Sequence, residues 1–524
     1  MRKSNNKKKN LLNPITVILL LIIITLAVSS LFSLLGKIEI NNKYPFSFLS
    51  QGTYSVIDST TGDVKNELVE VTPLLNVEGI QYIAGNLVSN FVSFAPLSVL
   101  LIALIGISVL EKSGLLRSLV SLFNPRTPDW IFTSLIILGG IISTLISDVG
   151  YVFVIPISAI IFLLHKRNPV GGIVSAFAGL SGGYGVNLMI GNIDNSLLTI
   201  TNFSAKILDS KYNTSLWGNY FFMIIATILI VIIGTIVTEK ILMPKLPRKV
   251  FEYDELVILG KKEKRGLWMA LFIAVILTLA FIYMIIPSLP GSGILLDKSQ
   301  IGYINQLLSP TSYFQLGLVG LISLIILMSS IFYGFGARTI KTDNDIINFI
   351  TSSKNNIGYL ILLLFFVSQF VAIFKKTNLG TIINIWFINI LNGLNVSGLP
   401  LIILFFIFVL IGNLFMPSYI SKWSVLAPNV IPLFMQSSMS PEFAQVIYRS
   451  AISSSNLITP LLAFYVIYLG YLQIYTKQDD VITIGKSIKL TMPYFVSFSI
   501  TYLVLVIIWY VTGLPLGSSI YPTL

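Results

Sequence analysis

The chain has 524 residues, of which 55% are hydrophobic and 11% charged, and its mean hydropathy is +0.85. Soluble globular proteins carry roughly 25% charged residues, so this composition excludes an ordinary soluble domain and indicates a polytopic membrane protein. The sequence has no cysteine and one histidine, His165, which argues against disulfides, thiolate metal sites, a His-based zinc site and a Ser-His-Asp triad. We predict no cofactor, no enzymatic activity and, despite a net charge of +12, no nucleic-acid partner.

Hydropathy predicts nine membrane-spanning helices. The first apolar run, 11–35, is too long for the core of a signal peptide, so we interpret it as a retained helix. The other eight predicted spans are 88–111, 170–195, 217–239, 266–288, 313–336, 355–374, 442–472 and 488–512.

Two further apolar stretches, 131–164 and 398–436, do not fit single crossings. Each is interrupted halfway by polar residues, at Ser147–Gly150 and at Ser418–Trp423. Two complete helices in each stretch would be barely long enough to cross a bilayer. Re-entrant helical hairpins with polar tips explain both the length and the interruption.

The distribution of basic residues supports this layout. With a cytoplasmic N-terminus, 24 of the 34 Lys and Arg residues fall on the cytoplasmic side and 8 outside, which satisfies the positive-inside rule. The remaining two, Lys422 and Arg449, lie in apolar surroundings. Segment 240–265 is then a basic cytoplasmic linker, and we expect a multi-pass protein of a bacterial plasma membrane.

The layout also contains a repeat within a single transport domain spanning 1–524. Segments 88–239 and 355–512 have the same order of elements: a span, a short stretch, a hairpin, an interrupted span and a further span. An odd number of crossings separates the two hairpins, so they enter from opposite sides. The predicted fold is therefore an all-α membrane protein with nine spans, two hairpins and an inverted-topology repeat, as in many secondary transporters.

Candidate functional groups lie where helices are broken. Such breaks leave backbone N–H and C=O groups free near the midplane, and the sequence has them at both hairpin tips and within both interrupted spans, at Ser181–Asn187 and Ser453–Pro460. Glycines permit unwinding, and Ser, Thr and Asn oxygens are hard ligands suited to sodium. A charge inside the bilayer is costly, which makes a functional role the default for Asp148, Asp194, Lys422 and Arg449.

Structural interpretations stay open beside the functional ones. Asp148 and Lys422 either form an ion pair between the tips or contribute directly to binding an ion or substrate. Asp194 could be an ordinary helix-end carboxylate, Arg449 a structural anchor and Asn413 a satisfied core amide.

Several collinear motifs resemble the AbgT family. They are Phe94–Leu97 with Glu111–Gly114, Ser147–Tyr151, Ala178–Tyr184, Tyr333–Gly336, Asn378–Gly380, Lys422-Trp423 with Leu426–Pro428, and Tyr448-Arg449 with Asn456–Pro460. The resemblance implies a homodimeric secondary transporter with nine spans and two hairpins. It also implies uptake of p-aminobenzoyl-glutamate, a product of folate breakdown, or efflux of sulfonamide antimetabolites, coupled to sodium or protons.

The resemblance also assigns individual positions. The family's functional aspartate, asparagine, tryptophan, arginine and two prolines fall on Asp194, Asn413, Trp423, Arg449, Pro441 and Pro460. Two positions depart from the family. Ile452 replaces an aspartate three residues after Arg449, and Ile420 replaces a serine three residues before Trp423. The first change leaves Arg449 without its expected partner and free to meet a ligand carboxylate.

The sequence therefore predicts an ion-coupled carrier of p-aminobenzoyl-glutamate or a related organic anion, with sodium as the expected coupling ion. A sodium-coupled dicarboxylate carrier is the alternative, and an intramembrane enzyme acting on a lipid-linked substrate is a remote one. The predicted substrate-binding residues are Ser181, Gly182, Gly183, Asn187, Asp194, Ser421, Trp423, Pro441, Arg449, Asn456 and Pro460. The predicted coupling-ion ligands are Ser147, Asp148, Asn413 and Thr459.

Overall fold

The computed structural model describes residues 12–57, 64–123, 126–247, 259–351, 357–476 and 481–524, without the side chains of residues 146 and 147. The first half of the chain forms α1 (Pro14–Leu35), α2 (Ser47–Ser50), α3 (Val77–Val92), α4 (Ala95–Lys112), α5 (Leu115–Val120), α6 (Asp129–Ser143), α7 (Gly150–Leu164), α8 (Pro169–Gly182), α9 (Asn192–Lys206), α10 (Tyr220–Ile236) and α11 (Lys261–Ile285).

The second half continues with α12 (Tyr303–Leu308), α13 (Tyr313–Ala337), α14 (Asp343–Thr351), α15 (Ile357–Lys376), α16 (Leu379–Gly393), α17 (Gly398–Gly412), α18 (Tyr419–Gln436), α19 (Pro441–Ser455), α20 (Tyr465–Ile474) and α21 (Ile484–Thr512). Short 3₁₀ segments occur at Thr144–Val149, Met243–Lys245 and Asn456–Ile458, and a π-helical turn at Val237–Leu242 extends α10.

The prediction of a purely helical protein is wrong in one place. Strands β1 (Gln51–Ile57) and β2 (Val64–Glu70) pair in antiparallel register, with Gln51 opposite Glu70. The alternation of polar and apolar residues in both segments suits a strand pair. A search for long apolar runs does not detect such short alternating segments.

Among the described residues, seven helical segments are long and apolar enough to cross a membrane. They are Pro14–Leu35, Val77–Lys112, Tyr220–Lys245, Lys261–Ile285, Tyr313–Ala337, Ile357–Lys376 and Ile484–Thr512. These segments include seven of the nine predicted spans. The other two, 170–195 and 442–472, are each divided into shorter helices, so a count of nine crossings remains a prediction.

Both predicted repeats contain two helices of similar length, followed by a span that is divided into two helices and then by one long helix. In the first repeat these are α6 and α7, then α8 and α9, then α10; in the second they are α17 and α18, then α19 and α20, then α21. Asn168 and Ser440 accept hydrogen bonds from the first backbone N–H groups of α8 and α19, and a proline follows each cap. The inverted orientation of the two repeats stays a prediction.

The first interrupted span is longer than predicted. It breaks after Gly182 and resumes at Asn192, and α9 continues to Lys206 rather than ending at 195. The polar residues read as the end of the span instead form the first turn of α9, where Asp194 accepts a hydrogen bond from the Gly191 N–H at 2.6 Å.

A partly buried ion pair holds the end of the first hairpin. Arg167 follows α7 and binds both carboxylate oxygens of Glu239, at 2.7 and 2.8 Å, in the π-helical turn after α10. Thr133 of α6 also donates to Glu239. Such a bidentate contact restricts how α6 and α7 sit against α10. Most of the 240–265 linker, 248–258, lies outside the described residues.

Candidate functional site

The two broken helices meet at a buried ion pair. Arg449 lies in the middle of α19, and its Nη2 is 2.6 Å from Oδ1 of Asp194 in the first turn of α9. Both residues are buried, at 5% and 7% exposure. The prediction that Arg449 lacks a partner, based on Ile452, is therefore wrong. A residue far away in the sequence supplies the carboxylate because the break after α8 brings α9 against α19.

Asp194 has a second partner besides Arg449. Its Oδ2 accepts a hydrogen bond from the Gly191 N–H, so the carboxylate also caps the N-terminus of α9. The partial positive charge of a helix N-terminus stabilises an anion there. Asp194 is thus a helix-end carboxylate, as one interpretation proposed, but it is also buried and paired with Arg449 of α19.

The break between α8 and α9 is held to α19 through Gly185. The Gly185 N–H donates to Ser453 Oγ at 2.7 Å, and its carbonyl accepts from Arg449 Nε at 2.8 Å. A Cβ on this glycine would lie 2.5 Å from Ser453 Oγ and 2.6 Å from both the Arg449 carbonyl and the Tyr419 hydroxyl. Only glycine allows this approach of backbone to α19.

A row of aromatic rings runs beside the ion pair. The Tyr184 and Tyr419 ring centroids lie 5.1 Å apart, those of Tyr419 and Tyr448 5.7 Å, and those of Tyr448 and Trp423 4.4 Å. Trp423 is fully buried, and its Nε1 donates to Thr201 of α9 at 2.9 Å. The row therefore connects the first break with the tip of the second hairpin.

The predicted interruption at Ser418–Trp423 is misplaced, because α18 begins at Tyr419 and the break between α17 and α18 lies at Asn413–Ser418. A cluster of polar side chains surrounds Lys422 at this second hairpin tip. Lys422 is fully buried, and its Nζ donates to Asn413 Oδ1 at 2.6 Å. The Asn413 Nδ2 donates in turn to Asn456 Oδ1 at 2.8 Å. This bond brings together a predicted ion ligand, Asn413, and a predicted substrate-binding residue, Asn456. Thr459 donates to the carbonyl of Ser455 within the same break.

The first hairpin tip is organised differently. Asp148 lies beside the Tyr184 hydroxyl rather than Lys422, so the described residues do not form the ion pair between tips that one interpretation proposed. Asn187 donates to the Ile141 carbonyl at 2.9 Å and thereby ties the first break to this hairpin. The side chain of Ser147, a predicted ion ligand, lies outside the described residues.

The other predicted substrate-binding residues lie at several places in and around the two breaks. Ser181 is buried and hydrogen-bonded to Tyr151 at 2.9 Å, and a Cβ on Gly182 or Gly183 would meet a neighbouring side chain within 2.5 Å. Four more predicted residues are distributed around the second break. Asn456 and Pro460 lie in the break, Pro441 begins α19 two turns before Arg449, and Ser421 is exposed on α18.

Sequence reasoning assigned no individual role to Tyr184, Gly185, Thr201, Tyr419, Tyr448 and Ser453, although all of them except Thr201 lie in segments that it singled out. The position of Tyr184 within a glycine-rich break could have indicated a functional ring, because a ring on a non-helical segment is not needed for packing within a helix. The others depend on contacts between distant parts of the chain. In the described part of the chain, no group of three His, Cys, Asp or Glu side chains is placed to hold a metal ion.

Comparisons with known proteins agree with the resemblance noted in the sequence. Residues 5–524 match the family described as "AbgT putative transporter family". The p-aminobenzoyl-glutamate transport protein of Escherichia coli K12 is 31% identical over 505 residues, which cover 94% of this chain and 97% of that protein.

Two solved structures are also similar in sequence. The YdaH transporter of Alcanivorax borkumensis is 29% identical, covering 97% of this chain and all of that one, with a TM-score of 0.49. MtrF of Neisseria gonorrhoeae, described as illuminating a class of antimetabolite efflux pumps, is 30% identical, covering 98% of each chain, with a TM-score of 0.48. The family match over nearly the whole length, together with the Escherichia coli relative, shows that this chain belongs to the AbgT transporter family.

Proposed function

We propose that the protein is an ion-coupled secondary transporter of p-aminobenzoyl-glutamate or a closely related aromatic organic anion, acting as a homodimer in a bacterial plasma membrane. The single observation that carries the proposal is the buried Arg449–Asp194 pair at the meeting point of two broken helices. Family membership and the Escherichia coli relative support the substrate class. The same proposal includes efflux of sulfonamide antimetabolites by this chain.

The ion pair is suited to exchange partners with an anionic substrate. Asp194 has an alternative stabilising group in the N-terminus of α9 through the Gly191 N–H. Arg449 can therefore turn toward a substrate carboxylate without leaving Asp194 as an unpaired buried charge. A guanidinium has five N–H donors in a planar fork. Gly185 uses Nε, Asp194 uses Nη2, and the Tyr419 hydroxyl is a further hydrogen-bonding neighbour of this guanidinium.

The aromatic row offers a surface for the aminobenzoyl ring. Tyr184 is its partly exposed member, whereas Tyr419, Tyr448 and Trp423 are buried behind it. Offset or edge contacts between aromatic rings contribute about 0.5–1.5 kcal/mol beyond burial of area. A glutamate moiety at Arg449 and a ring on Tyr184 would use both features at once. We further propose that Gly182, Gly183, Asn187, Asn456 and the other predicted residues of the breaks form the surrounding cradle.

We place the free coupling cation at the first hairpin tip, beside Asp148. This carboxylate lies at a helix interruption, next to the Tyr184 hydroxyl and the 3₁₀ segment Thr144–Val149. Carboxylate, hydroxyl and carbonyl oxygens are the ligands that hard cations prefer. Because Tyr184 borders both Asp148 and the aromatic row, cation binding and ring binding would share one side chain.

The test is equilibrium binding to the purified full-length protein. Titration calorimetry would compare p-aminobenzoyl-glutamate with p-aminobenzoate, glutamate and succinate, in sodium chloride and in choline chloride. We expect the complete conjugate to bind more tightly than either part, because it alone reaches both Arg449 and the aromatic row. Tighter binding of succinate than of the conjugate would reject this substrate and favour the dicarboxylate carrier.

A further inference from the structure

Lys422 is a buried lysine that has no acidic partner among the described residues. Its side chain is fully buried in α18, and among the described residues the short ion pairs involve Arg167 and Arg449, not this lysine. Its Nζ contacts Asn413 Oδ1 at 2.6 Å and lies 5.7 Å from the centroid of the Tyr448 ring. A buried charge is normally paired with an opposite charge, so these neutral partners need an explanation.

The partners of Lys422 have the chemistry of an alkali-cation site. An amide oxygen is a hard neutral ligand, and the face of a tyrosine ring attracts cations. The orientation of the Asn413 amide is fixed, because its Nδ2 donates to Asn456 Oδ1 at 2.8 Å while its oxygen faces the ammonium. The helix break at Asn456–Ile458 adds carbonyl groups close by. The amino group of Lys422 therefore occupies the position where sodium ligands were predicted from the sequence.

The two hairpin tips carry opposite charges at matching sequence positions. Ser147-Asp148-Val149 of the first tip corresponds to Ser421-Lys422-Trp423 of the second in the predicted repeat. The first tip has a carboxylate beside the Tyr184 hydroxyl, which can attract a free cation. The second tip already contains a covalently attached one.

We propose that the Lys422 ammonium is a tethered cation that fills the second of two equivalent cation sites. Transport then couples to a free cation at the Asp148 tip and not at Asn413, Asn456 or Thr459. This inference goes beyond the proposed function, because it concerns cation occupancy and holds whichever organic anion is carried. Its failure would leave the substrate assignment untouched.

The test is the sodium dependence of thermal unfolding for purified Lys422→Ala, compared in sodium chloride and choline chloride at equal ionic strength. Removing the ammonium leaves a pocket lined by Asn413 and Asn456, which sodium can enter. Replacing choline by sodium should lower the unfolding equilibrium constant of the variant. At a sodium concentration ten times the dissociation constant of the opened site, this decrease should be about 11-fold larger in Lys422→Ala than in the unmodified protein. Ethylammonium should stabilise the variant and leave the unmodified protein unaffected.

Two controls separate this effect from general damage. Lys211→Ala, at an exposed lysine, should leave the sodium response unchanged. Adding Asn413→Leu to Lys422→Ala should remove the gained response. An unchanged sodium response in Lys422→Ala would overturn the proposal. If this variant also lost affinity for p-aminobenzoyl-glutamate, Lys422 would instead be a substrate ligand.

A second variant keeps the proposal testable if Lys422→Ala does not fold. Asn413→Asp places a carboxylate against the ammonium, and Asn456 can rotate its amide to donate to it. With the site filled by Lys422, this variant should unfold at a higher temperature and gain no sodium dependence. An increased sodium dependence of Asn413→Asp would mean that a free cation reaches Asn413, and the proposal would be wrong.

Discussion

Replacing Arg449 by lysine tests whether the geometry of the guanidinium, rather than its charge alone, organises the site. Arg449 makes two directed contacts, from Nε to the Gly185 carbonyl at 2.8 Å and from Nη2 to Asp194 at 2.6 Å. A lysine ammonium is a point charge on a flexible stem and can keep the contact with Asp194, but it cannot reproduce the fork. The contact that Arg449→Lys should lose is the hydrogen bond from Nε to the Gly185 carbonyl in the first break.

The expected loss follows from that single contact. A hydrogen bond from a charged donor contributes about 1.5–3 kcal/mol, which corresponds to roughly 10- to 160-fold in an equilibrium constant. We therefore expect Arg449→Lys to bind p-aminobenzoyl-glutamate at least 10-fold more weakly and to unfold at a lower temperature. Arg449→Ala, which removes both contacts and leaves Asp194 with the N-terminus of α9 as its partner, should abolish transport.

Titration calorimetry and thermal unfolding of purified protein measure both quantities. Arg338→Lys is the matched control, because Arg338 is exposed at the end of α13 and should tolerate the same exchange. Substrate affinity within twofold of the unmodified protein in Arg449→Lys, with an unchanged unfolding midpoint, would refute this reasoning and reduce Arg449 to a positive charge.

Three further predictions concern the break, the topology and the coupling. Gly185→Ala should abolish transport, since its Cβ would lie 2.6 Å or less from atoms of α19, whereas Gly320→Ala, with nothing within 4 Å, should be neutral in the same uptake assay. A reporter fused after Asp254, outside the described residues, should be cytoplasmic and one after Lys298 external; the same side for both would reject the span count. Transport should depend on sodium, and Ile452→Asp should add a further pH-dependent component measurable as uptake between pH 5 and 8; proton-driven, sodium-independent uptake by the unmodified protein would contradict this.

Features determined by local sequence were predictable. Seven apolar segments, the division of 131–164 and 398–436 into two helices each, and helix breaks near Ser181–Asn187 and Ser453–Pro460 follow from hydropathy and from residues that interrupt helices. The site residues Asp194, Trp423 and Arg449 were identified through charge, burial cost and family resemblance. Their roles in transport remain proposals.

Contacts between distant segments were not predictable. Nothing in the residues around Arg449 indicates that its partner is Asp194, because that pairing depends on how α9 packs against α19 after the break. Likewise, Asp148 and Lys422 have opposite charges, but the fold gives them separate partners, Tyr184 and Asn413. Which side chains these charged residues contact depends on the packing of distant segments, and no local sequence pattern indicates it.

The most direct test of the transport function is uptake of labelled p-aminobenzoyl-glutamate by proteoliposomes under imposed sodium and proton gradients. We predict accumulation above that of protein-free vesicles when sodium is higher outside, a small effect of the proton gradient alone, and no accumulation with Arg449→Ala. Equal flux in protein-free vesicles, or full uptake by Arg449→Ala, would contradict the proposal that this site carries an aromatic organic anion.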